Sequence, residues 1–144
     1  MTMHVEWVDA NDEFPRLHWV LDDQALAAFG QFGLFHDVAA GEVIFERDEP
    51  SFALYLVIDG AISIFTDEGS VAAIGPNHSF GEMGLLLDAP RAAGARAKTD
   101  ARVLELSRES LGRMLEESPI WAARFYRVLA ECLAEYLHMT TMKR

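Results

Sequence analysis

Phe80-Gly81-Glu82-Met83-Gly84-Leu85-Leu86-Leu87-Asp88-Ala89-Pro90-Arg91-Ala92-Ala93-Gly94-Ala95-Arg96-Ala97 sets an acid and an arginine around a short glycine-led turn. Gly81 and Gly84 let backbone approach a ligand with no Cβ in the way. Residues 82–87 have the length of little more than one helical turn, whose first N–H groups would point at an anion. Arg91 adds a planar, permanently charged donor fork that matches phosphate oxygens. The arrangement suits a small sugar phosphate.

The elements that must hold this turn are short. Residues 34–38, 43–46, 52–58, 61–66, 71–74 and 102–106 are rich in Val, Ile, Phe and Leu and are separated by Gly, Asp, Asn or Pro. Many short strands with turn signals between them predict a β-sandwich or barrel. Asp59-Gly60 between two apolar runs predicts a hairpin, and Gly75-Pro76-Asn77 the next corner. Residues 22–29 read as a short helix with Asp at its N-cap end and Gly30 near its exit. Ser107 caps a predicted helix through Leu115, and Ser118-Pro119 starts another that runs to about His138, with Pro at N1. On this last helix Trp121, Phe125, Val128, Leu129, Cys132, Leu133, Tyr136 and Leu137 form a wide apolar stripe, with Arg124, Arg127, Glu131, Glu135 and His138 opposite. A stripe that wide can cover the barrel alone or also meet a second copy of itself, and a symmetric dimer is the expectation. Residues 1–20 show no sustained period and read as an N-terminal extension to one domain over 21–144.

Charge and composition exclude several classes. The 144 residues are 51% hydrophobic and 24% charged, ordinary for one globular domain, and carry a net charge of -11. That field repels nucleic acid backbones, so direct DNA binding is not expected. Cys132 is the only cysteine, which removes intrachain disulfides and thiolate metal clusters and reads as a helix-face hydrophobe. The N-terminal residues lack a basic stretch followed by an apolar run, and no segment has the roughly 18 apolar residues of a membrane span, so a cytoplasmic protein off the membrane is expected. His4, His18, His36, His78 and His138 form no metal-spaced pair, and no Ser or Cys sits in a nucleophile elbow, so neither a metal nor catalysis is expected.

The order F-G-E-M-G-L-L, a short spacer, then P-R-A-A-x-x-x-A resembles the phosphate-binding cassette of cyclic nucleotide-binding domains, as in catabolite activator proteins and cyclic-nucleotide-dependent kinase regulatory subunits. Gly41-Glu42-Val43-Ile44-Phe45, Leu54-Tyr55-Leu56-Val57-Ile58-Asp59-Gly60 and Gly75-Pro76 are similar to the family's first strands, its glycine-ended hairpin and the corner before the cassette, so the resemblance spans about residues 23–138. It implies a mainly β fold with flanking helices: an eight-stranded jelly-roll barrel (a double-stranded β-helix), a short N-terminal helix, and a long C-terminal helix that closes over the ligand. Two positions depart from the family's glycines, Asp48 after Phe45 and Asn77 after Gly75. Asp and Asn tolerate the left-handed backbone that such turns need.

The resemblance also implies roles. Phe80, Gly81, Glu82, Met83, Gly84, Arg91, Ala92 and Ala93 form the ligand site: Glu82 accepts from a ribose 2′-hydroxyl, Arg91 pairs with an equatorial phosphate oxygen, and the N–H groups of Gly81, Glu82, Ala92 and Ala93 complete an anion nest. Tyr136 is the candidate lid over the base. Ala92 stands where cGMP-selective members carry Thr, which favours cAMP over cGMP, while Gly94 replaces a hydroxyl residue of the kinase subunits. Taken singly, Glu82 reads as an acid complementing a helix dipole and Arg91 as a surface charge after a turn proline. The expected function is a stand-alone, cAMP-binding regulatory module that signals through its C-terminal helix to an effector protein. The other reading is an interaction or scaffold module that keeps the fold and responds to no nucleotide.

Overall fold

The computed structural model describes residues 3–8, 16–21 and 23–142. Within the N-terminal extension, strands β1 (Met3–Val8) and β2 (Arg16–Leu21) pair antiparallel. Helix α1 (Asp23–Gly30) follows, and the chain then lays down β3 (Leu34–Val38), β4 (Val43–Phe45), β5 (Ala53–Asp59), β6 (Ile62–Thr66) and β7 (Gly69–Ile74). After β8 (Ser79–Phe80) come helix α2 (Glu82–Leu87), β9 (Gly94–Ala97), β10 (Ala101–Ser107), and helices α3 (Arg108–Glu117) and α4 (Pro119–Met142).

Eight of these strands form two antiparallel sheets of four, ordered β3-β10-β5-β8 and β4-β9-β6-β7. The jelly-roll arrangement expected for this sequence is present as two sheets and not as a closed barrel. One local expectation is overturned. Asp59-Gly60 makes no hairpin, because β5 pairs with β10 and β8 while β6 pairs with β9 and β7. The turn carries the chain from one sheet to the other. Gly60, at φ 82°, is pressed so tightly against the β9–β10 turn that a Cβ there would lie 2.3 Å from the Asp100 carbonyl oxygen. Ala61 answers that turn with its N–H donating to Thr99 Oγ1 and its carbonyl accepting from Lys98 N–H.

Two apolar layers result. Between the sheets lie Val38, Val57, Ile62, Phe80, Ala95, Ala97 and Val103, while Leu54, Leu56, Leu104 and Leu106 on the opposite faces of β5 and β10 meet Phe29, Met114, Phe125 and Leu129 of the helices. Both faces of β5 are therefore largely buried, which explains its near-continuous apolar run, whereas β10 is interrupted by the exposed Arg102 and by Glu105. Phe29 makes edge-to-face contact with Phe125 at 5.1 Å and with Trp121 at 5.6 Å. Each fully buried side chain of this kind contributes roughly 1.5–3 kcal/mol. Ser107 caps α3 by accepting from Ser110 N–H at 3.0 Å. α4 starts at Pro119 and runs four residues past the expected end at His138, to Met142.

Candidate functional site

β8 pairs with β5 through Tyr55↔Phe80 and Leu56↔Ser79, and this register delivers the chain into α2. Gly81 is the N-cap residue of α2, with φ 80° and ψ 5°, and no side chain caps the helix's first N–H groups. Helix α2 ends after Leu87 because Asp88 turns left-handed at φ 53°. The Ala89 N–H donates to Gly84 O at 2.9 Å, and Arg108 at the start of α3 donates through Nη2 to Leu85 O at 3.0 Å. Leu85 itself packs in the core shared with Leu111 and Phe125, so the turn is joined to the C-terminal helices by a side chain and a hydrogen bond.

Arg91 is not a surface charge. It is 5% exposed and lies under the turn, where Nη1 donates to Gly81 O at 2.8 Å and Nη2 to Ala53 O at 2.6 Å. Its guanidinium carbon sits 4.0 Å from the ring centroid of Phe45. The backbone is clamped as well: Arg91 N–H donates to Glu49 O, and Arg91 O accepts from Asp48 N–H, each at 2.8 Å. Burial lowers the Arg91 pKa from its ordinary value, opposed by Tyr55, Glu49 and Glu82. A guanidinium has five N–H donors, of which two are used here, and the buried Nε has no partner.

Glu82, in the first turn of α2, is half-buried and accepts from Ser79 Oγ at 2.7 Å through Oε2. Glu82, Gly81 and Arg91 are thus brought together as expected. Phe80 is a wall of the inter-sheet core at 2% exposure, stacked on Tyr55 at 5.0 Å, and presents almost no surface to a ligand. Ala92 is exposed and Ala93 half-buried, on the rim beside Arg91. Met83 projects outward, and Gly84 faces the buried Ser51 hydroxyl. The side chains of Tyr136 and Cys132 lie outside the described residues.

Four participants are not legible as site residues in the sequence. Phe45, Tyr55 and the Ala53 carbonyl read as ordinary strand positions and Ser79 as part of the loop before the turn, and nothing local distinguishes them. The two left-handed non-glycine turns are present as expected, at Asp48 with φ 72° and Asn77 with φ 68°.

Among the described residues no group of three or more His, Cys, Asp or Glu side chains could hold a metal ion. His36 is taken by Glu105, its Nε2 2.6 Å from Oε1. Two open clefts include none of residues 80–93 in their linings. One of about 310 Å³ is lined by Glu46, Arg47, Asp48, Phe65, Thr66 and Asp67, and one of about 570 Å³ by residues including Asp37, Glu42, Asp59 and Asp100. No described helix is long and apolar enough to cross a membrane.

The family model of the cyclic nucleotide-binding domain matches residues 35–118. The chain is 35% identical to the cyclic AMP receptor protein of Thermus thermophilus over 100 residues, 66% of this chain and 46% of that protein. It is 29% identical to an uncharacterized NTE family protein of Mycobacterium tuberculosis over 125 residues, 86% of this chain and 21% of that protein. A solved structure described under the words "a cyclic-GMP-dependent signalling pathway regulates bacterial phytopathogenesis" superposes with a TM-score of 0.66 at 34% identity, covering 75% of this chain and 89% of that one. The chain therefore spans less than half the length of these curated relatives.

Proposed function

Because the chain belongs to the cyclic nucleotide-binding domain family, we propose that Gly81 to Ala93 receive a cyclic nucleotide, with its phosphate at Arg91 and the α2 N–H groups and its ribose hydroxyl at Glu82. One observation carries the reading. Arg91 is nine-tenths buried with its Nε–H unpartnered, and a buried orphan donor costs about 1–3 kcal/mol unless an acceptor reaches it. A phosphate oxygen is the acceptor that charge and geometry favour. The unused Oε1 of Glu82, beside the one engaged by Ser79, can accept a hydroxyl.

The preferred ligand is cAMP. Ala92, exposed on the rim, has no hydroxyl for the guanine amino group. Occupancy of the turn acts on the C-terminal helices through Leu85 and Arg108, and α4 passes it on to an effector protein. Leu137 is 66% exposed on the same stripe that buries Phe125 and Leu129, which supports a second copy of the chain as the cover for the far half of α4. The net charge of -11 supports regulation without direct DNA contact, and the single cysteine fits a reducing cytoplasm.

The Gly81 and Ala53 carbonyls already satisfy one N–H on each Nη group, and this observation favours the second reading, a module with a self-filled turn and no nucleotide response. Titration calorimetry with cAMP, cGMP and the cyclic dinucleotides separates the two. Heat of binding with cAMP tightest supports the proposal; no heat and no thermal shift with any of them leaves the scaffold reading.

A further inference from the structure

The period that the N-terminal extension lacks along its sequence appears once β1 and β2 are paired. Their register sets Met3 opposite Leu21, Val5 opposite Trp19 and Trp7 opposite Leu17. Successive residues of a strand alternate between faces, so these six, all apolar, fall on one face of the ribbon. The other face carries His4, Glu6, Arg16 and His18 among its six positions. A two-stranded ribbon is at best marginally stable alone in water and needs a surface to pack on. The backbone supplies one, since β2 runs along α4 and reaches α1.

Helix α4 is covered where its core stripe does not reach. Arg127 and Glu131 stand one turn apart on its polar side, joined at 3.0 Å. Arg127 is 80% exposed, as that side predicts, whereas Glu131 is only 20% exposed and its Oε2 is buried with no hydrogen-bond partner. Helical geometry turns residue 131 by roughly 120–160° from Phe125 and Leu129, so the core that takes those two does not cover it. We infer that the β1–β2 ribbon is a strap, its apolar face laid along α4, which closes over the flank carrying Glu131 and withholds that flank from other partners. Two opposed forces make the strap releasable. Burial of the apolar face drives closure, while closure also buries a carboxylate oxygen that no donor meets. Opening returns Glu131 to water and bares the flank. The inference is independent of the cyclic nucleotide proposal.

Hydrogen exchange of the full chain, followed by mass spectrometry over residues 3–8, 16–21 and 127–138, tests the strap. In the wild type the two strands are expected to exchange at least about tenfold more slowly than unstructured chain. Trp19→Thr keeps a good strand former but removes the largest apolar group of the face, and is expected to abolish that protection and speed exchange in 127–138 by about threefold or more. Val20→Thr, next along the strand and on the other face, is expected to leave both regions within about twofold of the wild type. Glu131→Met removes the orphaned oxygen at the expense of an exposed ion pair worth little, and is expected to slow exchange of the ribbon by about fivefold to tenfold. Leu17→Thr serves in place of Trp19→Thr if that variant does not fold. Unprotected strands in the wild type, equal effects of the two Thr variants at 19 and 20, or unchanged ribbon exchange in folded Glu131→Met would each overturn the inference.

Discussion

Ser79 Oγ donates a 2.7 Å hydrogen bond to Oε2 of Glu82, linking the last strand before the turn to the first residue of α2. The bond fixes the carboxylate on a short helix whose N-cap, Gly81, contributes no side chain. A single hydrogen bond of this kind is worth about 0.5–1.5 kcal/mol net. Ser79→Ala is therefore expected to weaken cAMP binding by about threefold to tenfold, and 2′-deoxy-cAMP much less. Calorimetric titration of both ligands into both proteins checks this; an equal loss for the two would remove Glu82 from the ribose contact.

Arg91→Ala removes the buried cation and leaves the Gly81 and Ala53 carbonyls without their donor. Loss of the phosphate contact is expected to cost on the order of 1.5–3 kcal/mol, a tenfold to hundredfold drop in affinity. Stability is expected to fall as well, by about 1–3 kcal/mol, since buried acceptors lose their partner. Calorimetry and chemical denaturation of the same variant separate the two effects. Unchanged affinity in a folded variant would sink the site assignment.

Glu82 and Arg91 differ in how much of their setting is local. The turn itself is readable because its demands are local: left-handed glycine at 81, an acid in the first helical turn, an arginine after proline. Asp48 and Asn77 are readable for the same reason, being the non-glycine types that accept φ near +70°. The depth of Arg91 is not, because a charged side chain ordinarily reads as exterior and its burial is produced by Phe45 and Ala53, far away along the chain. Within the two four-stranded sheets, two strands also escape notice. β8 is two residues long, and β9 reads Gly-Ala-Arg-Ala, with no β-branched residue to mark it. Its small side chains follow from its neighbours, since a Cβ at Gly94 would meet the Phe65 ring at 2.3 Å. Asp59-Gly60 shows the opposite failure, a strong local turn signal whose flanking strands are claimed by different sheets.

Ala92 lies exposed beside the arginine and carries only a methyl group. Ala92→Thr places a hydroxyl at the rim, within the region where the phosphate and a base amino group are proposed to lie. The affinity for cGMP relative to cAMP is expected to rise by about threefold to tenfold, the value of one added hydrogen bond. Competition of both nucleotides against one fluorescent analogue measures the ratio directly. No change in that ratio would remove the basis for choosing the base.

Tyr55, stacked on Phe80 and close to Arg91, has its pKa raised above the ordinary 10.0, chiefly by burial and then by Glu105, with Arg91 opposing. The folded chain therefore holds the phenol proton more tightly than the unfolded chain does. In the interval above pH 10.0 the native state binds more protons, so stability must fall as pH rises through it. Tyr55→Phe removes this contribution and is expected to flatten the alkaline limb of a stability-versus-pH curve, leaving the neutral region near its original level. Denaturant midpoints collected between pH 8 and 11 check the sign, and a limb equally steep in the variant would assign the loss to other groups.

Gly84 and Ser51 are matched across the buried side of α2. A Cβ on residue 84 would stand 2.2 Å from Ser51 Oγ, 3.0 Å from Ser51 Cβ and 3.1 Å from Ala89 O. Alanine gains about 1 kcal/mol over glycine inside a helix, but overpacking of this kind costs about 1–3 kcal/mol, so the two effects oppose and the clash should prevail. Gly84→Ala is expected to lower stability by about 1–2 kcal/mol and to displace the helix that carries Glu82. The Ser51 hydroxyl is buried with no partner, so Ser51→Ala alone is expected to be neutral or stabilising. Placed in the Gly84→Ala background, the same change relieves the shortest contact and leaves those at 3.0 Å to the residue 51 Cβ and 3.1 Å to Ala89 O. A double-mutant cycle by denaturation is expected to return a favourable coupling of about 0.5–2 kcal/mol, with cAMP affinity recovering in parallel. Strict additivity would mean that α2 moves away from Ser51 freely, and that its position is set by Arg91 and Arg108 alone.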